Sequence, residues 1–292
     1  MKPLCIYHGN CADGFAAAWV VNRFFKGEVD FHPAIYGQEP PDVAGRVVIM
    51  VDFSYKRPVL EAMAPPADSI IILDHHKTAH EDLIAFDVSD REDGPVTWLK
   101  AHDILNWDKN VIALFDMERS GATMTWDFFY PDTPRPRLLN HIEDRDLWLF
   151  KLEGTREIQA NVVSYPHDFE VWDRLMSMDC ADLIAEGRAI ERKHFKDIGE
   201  LVAVTKRTMI IGGFAVPVAN LPYTLASDAG NKLAQHERFA ATYYDVPGAR
   251  VFSLRSAGDE GLDVSVIAKM YGGGGHKNAA GFRAPAGWEG DV

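Results

Sequence analysis

The chain has 292 residues, 47% of them hydrophobic, enough for two domains of ordinary size, each with its own core. Its formal net charge of -13 argues against a general affinity for long duplex nucleic acid, because neutralising a run of phosphates needs a surplus of Lys and Arg on the binding face; a short phosphorylated ligand needs only a local pocket. Three cysteines, Cys5, Cys11 and Cys180, are too few and too scattered for a disulfide framework or a structural zinc site, and the expected compartment is the cytoplasm.

Met1-Lys2-Pro3 leads straight into an apolar strand, too short a lead for a signal-peptide core, and no apolar run approaches the ~20 residues of a membrane span, so no membrane association is expected. Leu4 to Tyr7 reads as a buried strand, His8-Gly9-Asn10-Cys11-Ala12-Asp13-Gly14 as a loop, and Phe15 to Val21 as the following helix. His8, Asn10 and Asp13 converge on one edge of the sheet, unless Asn10 and Asp13 merely cap the helix. Arg46 to Val51 is a second buried strand, ending in Asp52, with Pro58 placed for the first turn of a helix. The run Ser69 to Leu73 is a third, closing on Asp74-His75-His76. Apolar runs of about five residues with β-branched content are parallel-sheet strands, and ligands of open α/β sheets gather outside the carboxyl ends of such strands. Three carboxylates there, beside histidines, repel one another unless a cation holds them, so a divalent metal is expected.

Beyond Lys77 the chain passes His80 and His102 to a segment from Met117 to Phe129, where Ser120 and Gly121 read as a helix start. Either Arg119 or Ser120 faces the site, or this is simply a capped core helix. Leu138 to Trp148 is dense in acid; one carboxylate of Asp144 and Asp146 is positioned to complete a metal shell while the other pairs with Arg145. Asp168 to about Lys206 reads as a long charged helix, with Leu183, Ile184, Gly187 and Ile190 on one face. Met209 to Val218 reads as a hairpin, and Phe239 to Tyr244 with Val251 to Arg255 as another, turned by Pro247-Gly248, so a second α/β domain begins near residue 207. There is no internal repeat. Gly272-Gly273-Gly274-Gly275-His276-Lys277 is costly in conformational entropy; it is explained by backbone approaching a ligand, with amides cradling phosphate or sugar, or else by a flexible turn between a helix and the last strand. Arg255 would add a bidentate guanidinium.

Taken in order, these motifs resemble the DHH phosphoesterase superfamily over nearly the whole chain. Asp74-His75-His76 is similar to the eponymous motif, His8 with Asn10 and Asp13-Gly14 to the first, Asp52 to the second and Asp144 to the acidic fourth; the glycine stretch with His276 and Ala279-Ala280-Gly281-Phe282 resembles the DHH-associated domain. The resemblance implies an α/β fold: a parallel-sheet catalytic domain over residues 1-150, a helical linker over 151-206 and a smaller α/β substrate-binding domain over 207-292. It implies Mn²⁺, held at one site by Asp13, Asp52, His75 and Asp144 and at a second by His8, Asn10 and a bridging Asp52. The first motif usually offers two aspartates; Asn10 stands where the first falls, with one extra residue before Asp13. A neutral amide binds a hard cation more weakly than a carboxylate, so the second site is expected to be weaker.

The expected activity is hydrolysis of phosphodiester or phosphomonoester bonds in short nucleotides: short oligonucleotides, linear dinucleotides or nucleoside bisphosphates. A divalent ion would lower the pKa of the attacking water. Asp74, His75 and His76 are the expected catalytic residues, His76 contacting the scissile phosphate and Asp74 orienting a neighbouring histidine. Arg255, Gly273, Gly274, Gly275 and His276 would bind the far end of the substrate. A RecJ-like single-strand exonuclease, a manganese-dependent inorganic pyrophosphatase and a non-catalytic nucleotide-binding regulator that lost activity through Asn10 stay open as alternatives, as does a homodimer.

Overall fold

Three runs of consecutive apolar residues fold as neighbouring strands of one parallel sheet: β1 (Leu4–His8), β3 (Val47–Val51) and β4 (Ser69–Asp74). With β2 (Asp30–Ala34) and β5 (Val111–Phe115) they form a five-stranded sheet in the order β2-β1-β3-β4-β5, every pair parallel. The computed structural model describes residues 1–89, 111–258 and 261–291; His102 lies outside them.

Continuous hydrophobicity, rather than alternation, follows from burial on both faces. Ile49, Val51, Ile71 and Leu73 point into a core shared with α1 (Ala12–Phe24) and α4 (Gly121–Phe129), whereas Val48, Met50, Ile70 and Ile72 point into another with α2 (Arg57–Met63) and α3 (Lys77–Leu83). Strand order reverses at β1, whose neighbours are β2 on one side and β3 on the other. A crevice opens at the carboxyl edge of such a reversal, the usual ligand position in doubly wound sheets.

The chain divides into two compact units, residues 1–191 and 192–292. Helix α5 (Arg137–Asp146), α6 (Thr155–Val162) and α7 (Phe169–Ser177) complete the first. Much of the expected linker is therefore core: Ile158, Val162, Trp172 and Leu175 share the cluster that holds Trp19 and Val51. The single long helix expected from Asp168 is broken into α7, capped at its start by Asp168, and α8 (Cys180–Thr205), because Met178 turns to extended backbone and Asp179 accepts from Ala181 N at the start of the next helix. On α8, Leu183 and Gly187 are buried, and a side chain at Gly187 would meet Glu157 O at 1.9 Å, so glycine sets how closely α8 lies on α6.

The second unit is a six-stranded mixed sheet in the order β10-β11-β9-β8-β7-β6. β6 (Arg207–Ile211) and β7 (Phe214–Asn220) make a hairpin across Gly212 and Gly213, both at positive φ as a primed two-residue turn requires; β8 (Ala240–Val246) and β9 (Ala249–Arg255) make a second across Gly248. Helix α9 (Ala226–Ala234) lies on one face and α10 (Val264–Met270) on the other. The glycine run becomes β10 (Gly274–Gly275), paired with β11 (Ala279–Pro285).

This pairing gives the glycines a structural reason. A side chain at Gly273 would lie 2.0 Å from Gly281 O, and one at Gly275 2.5 Å from Ala279 O, so the close approach is to the chain's own β11. The amides of Gly272, Gly273 and His276 donate to Lys269 O, Ala268 O and Ala279 O. Arg255 pairs with Ala279 in the sheet, at the same end as the His276 turn, and its guanidinium donates to Ser253 Oγ, Ser227 Oγ and Leu254 O.

Candidate metal centre

Because β1, β3 and β4 are adjacent and in parallel register, the residues that follow them meet at one edge. Asp52 continues the ladder, its N–H donating to Leu73 O at 2.9 Å, but at φ 53° it breaks β3 in the left-handed region, a strained conformation of the kind found at functional sites. Two glycines make room for it. A side chain at Gly14 would stand 3.1 Å from Asp52 Oδ2, and one at Gly121 2.4 Å from Asp52 Cβ, so any larger residue would push α1 or α4 off the acid.

Asp13 and Asn10 do not cap α1; Cys11 is the cap residue, without a side-chain bond. The carboxylate of Asp13, 2% exposed, instead reaches α4, accepting from Ala122 N at Oδ1, while Oδ2 makes no hydrogen bond. His75 Nε2 lies among three carboxylates: 3.1 Å from Asp52 Oδ1, 3.5 Å from Asp146 Oδ2 and 4.0 Å from Asp13 Oδ2. On the other side of Asp52, Oδ2 is 3.5 Å from His8 Nδ1. Ligand atoms of Asp13, Asp52 and His75 fall within 4.8 Å of one another, as do those of His8, Asp52 and His76. Two ligand sets thus share Asp52. Asn10 is exposed, in a left-handed conformation at φ 58°.

The fourth acid needs correcting. Asp144 is buried, but its oxygens accept from Lys151 N (2.7 Å), Leu152 N (3.1 Å) and Thr155 Oγ1 (2.6 Å), tying the loop after α5 to the helix. Asp146, two residues on, faces His75. Residues i and i+2 of a helix point to opposite sides, so only one of the pair can reach the site. The Arg145 guanidinium lies over the Trp148 ring, its carbon 4.1 Å from the ring centre. Arg119 is engaged by Asp116 and Asp127, and Ser120 caps α4; in that segment Gly121 packs against Asp52 and the Ala122 amide donates to Asp13.

Asp74, fully buried, is a hub. Its Oδ1 accepts from the amides of His75 and His76 and meets His76 Nδ1 at 2.7 Å, and its Oδ2 accepts from Ser54 Oγ at 2.9 Å. Burial opposes its charge, but the neighbouring His76 outweighs burial and holds the carboxyl below its usual range. Burial likewise opposes the charge on Asp52, and His75 and His8 overcome it, so Asp52 stays ionised. Asp13 goes the other way: burial, then the charges of Asp52 and Asp146, push it well above the usual carboxylate range. Burial works against protonated His75, yet Asp52 and Asp146 hold its value well above normal.

A buried acid, Asp13, that has an unpartnered oxygen and is itself pushed toward taking up a proton, and an imidazole, His75, raised by the carboxylates around it, are both consequences of surplus negative charge. The donor set, carboxylate oxygen with imidazole nitrogen, suits a divalent metal ion. Asp13, Asp52 and His75 fit one such ion, with Asp146 beside them, and His8, Asp52 and His76 fit another.

No protein-family model matches the chain. An uncharacterized protein of Acanthamoeba polyphaga mimivirus is 30% identical over 306 residues, a match covering 95% of this chain and 66% of the relative, so the chain spans just under two thirds of that protein's length. A DHH domain from a member of the s1p family of ribosomal proteins has a similar structure, with a TM-score of 0.57 at 11% identity over 97% of this chain and 83% of that one. RecJ of Thermus thermophilus, in complex with Mn²⁺, is more distant, with a TM-score of 0.45 at 14% identity, covering 96% of this chain and 49% of RecJ. The chain thus has the fold of that DHH domain, with Asp74-His75-His76 at the carboxyl end of the fourth strand of the parallel sheet.

Proposed function

We propose that the chain is a divalent-metal-dependent phosphohydrolase acting on phosphate esters of short nucleotides. The observation that carries the proposal is the pair of ligand sets sharing buried Asp52, beside an Asp13 oxygen without a hydrogen bond. Ions bound there supply Lewis acidity toward a phosphate oxygen and neutralise charge that develops on it. The chain's own groups do the rest. Asp74, fixed by Ser54, holds His76 by Nδ1 and so orients the imidazole, which would serve either the ion of the second set or a phosphate oxygen, not both at once. Asp52 holds His8 and His75 on either side of itself. Asp13, Asp52 and Asp74 are almost wholly buried, whereas the side chains of His8 and Asp146 are 28% and 26% exposed, so substrate arrives at the edge where those two side chains lie. Manganese is the ion proposed, and Arg255 and His276 are proposed to bind phosphate on the second unit.

The test strips the protein with EDTA and measures hydrolysis of bis(p-nitrophenyl) phosphate and of pApA as Mn²⁺ is restored, with His75→Ala as control. Turnover that returns with Mn²⁺ and is lost in the variant is expected. Saturable nucleotide binding with no turnover under any divalent ion would favour a non-catalytic regulator.

A further inference from the structure

Tyr36 stands beside this site and has no part in the chemistry assigned above. It follows β2, in a turn closed by Gln38 N donating to Ile35 O at 3.1 Å, with Gly37 at φ 86°. A type II turn has this form, and it requires glycine at its third position, so the backbone presents Tyr36 in a set direction. The ring leans on Phe53, with centroids 4.7 Å apart and planes tilted by 34°; Phe53 itself is wholly buried. Its other aromatic neighbours are the two histidines of the outer ligand set, His8 at 5.5 Å and His76 at 6.0 Å. Although packed on three rings, Tyr36 remains 43% exposed. Ile35 beside it is 36% exposed, so an apolar lip borders an otherwise ionic centre.

We infer that Tyr36 is a stacking platform for the nucleobase next to the scissile phosphate, and that it makes the site select nucleoside esters over inorganic phosphoanhydrides. An inorganic polyphosphate is anionic along its whole length and gains nothing from an aromatic face. A nucleotide places a flat ring one sugar away from its phosphate, the separation between Tyr36 and the histidines. Aromatic faces accept any base, because every base has a π-face, so selectivity is for the presence of a base and not for its identity. Backing by Phe53 and the closed turn leaves little freedom to lose on binding. This inference rests on the phosphoesterase reading only in naming the group that is esterified.

The experiment compares the Mn²⁺-loaded full chain with Tyr36→Ala, Tyr36→Leu and Tyr36→Phe. Calorimetry follows binding of 5′-AMP and of ribose 5-phosphate, and steady-state kinetics follow pApA and inorganic pyrophosphate. Loss of the ring should weaken AMP about tenfold and raise KM for pApA by the same factor, with kcat falling no more than about twofold, since stacking of this size acts on ground and transition states alike. Ribose 5-phosphate should be affected far less, and Tyr36→Phe should restore AMP binding. Tyr36→Leu keeps apolar bulk against Phe53 and guards against a fold defect in the alanine variant, the melting temperature being read alongside. Equal losses for AMP and ribose 5-phosphate, failure of phenylalanine to restore binding, or a wild type that does not bind AMP would each overturn the inference. If AMP binds in a Tyr36-dependent way and pApA is never cleaved, the hydrolase reading falls and the platform stands.

Discussion

The carboxyl edge of the parallel sheet and the glycine-rich hairpin of the second unit are equally conspicuous as strings of residues, yet their folded states differ in one physical respect. At the sheet edge polar groups are left over: Asp13 Oδ2 is buried without a hydrogen bond, and three carboxylates press on one imidazole. At the hairpin the amides of Gly272, Gly273 and His276 donate within the chain, and β11 fills the space the glycines vacate. Surplus valence is evidence of a ligand. A glycine run is not, because crowding of backbone against backbone accounts for it.

The largest test of this contrast is Asp52→Asn, which removes the carboxylate common to both ligand sets. Phosphohydrolase activity should fall at least about a thousandfold, several kcal/mol of transition-state stabilisation. A variant with near wild-type turnover in Mn²⁺ would show that the edge is not the reaction centre. Gly273→Ala probes the other region. Overpacking against Gly281 should destabilise the second unit by about 2–3 kcal/mol, measured by urea unfolding. Weakened nucleotide binding at full stability would return the glycines to a ligand cradle.

Asp144 and Asp146 sharpen the comparison within a single helix. Asp144→Ala strands the donors of Lys151, Leu152 and Thr155 and should cost about 2 kcal/mol of stability, while a change at Asp146 acts on the ion. For Asp146→Asn the expected result is a loss of about tenfold in Mn²⁺ affinity, with a melting temperature close to wild type. The reverse pattern would restore Asp144 as the ligand.

The smallest effect is on pH dependence. In the ion-free protein the raised values of His75 and Asp13 mean that bound protons offset the repulsion among the acids. That contribution is complete below each group's unfolded value and is lost as pH rises through the folded one. Mn²⁺ takes over the same role and displaces the protons, so its stabilising effect should grow as pH rises above the ordinary histidine range, by a few degrees in Tm. A Tm gain that is flat across that rise would separate the ion from these two groups.

Much of the first unit could be read along the chain. Runs such as Val47 to Val51 and Ser69 to Leu73 specify strands buried on both faces, and parallel strands necessarily bring their carboxyl ends to one edge, so His8, Asp13, Asp52 and His75 could be grouped without coordinates. Where α7 ends and α8 begins was less legible, since one capping aspartate and a short break interrupt an otherwise helical composition.

What residue order determined by itself was which side chains lie at strand ends, a matter of local periodicity and of the single direction shared by parallel strands. Only tertiary structure decided that Asp146 rather than Asp144 faces His75, that Gly121 closes on Asp52, and that Tyr36 borders the histidines. These depend on the rotation of a helix about its axis and on contacts between segments distant in sequence. No periodicity along the chain records either.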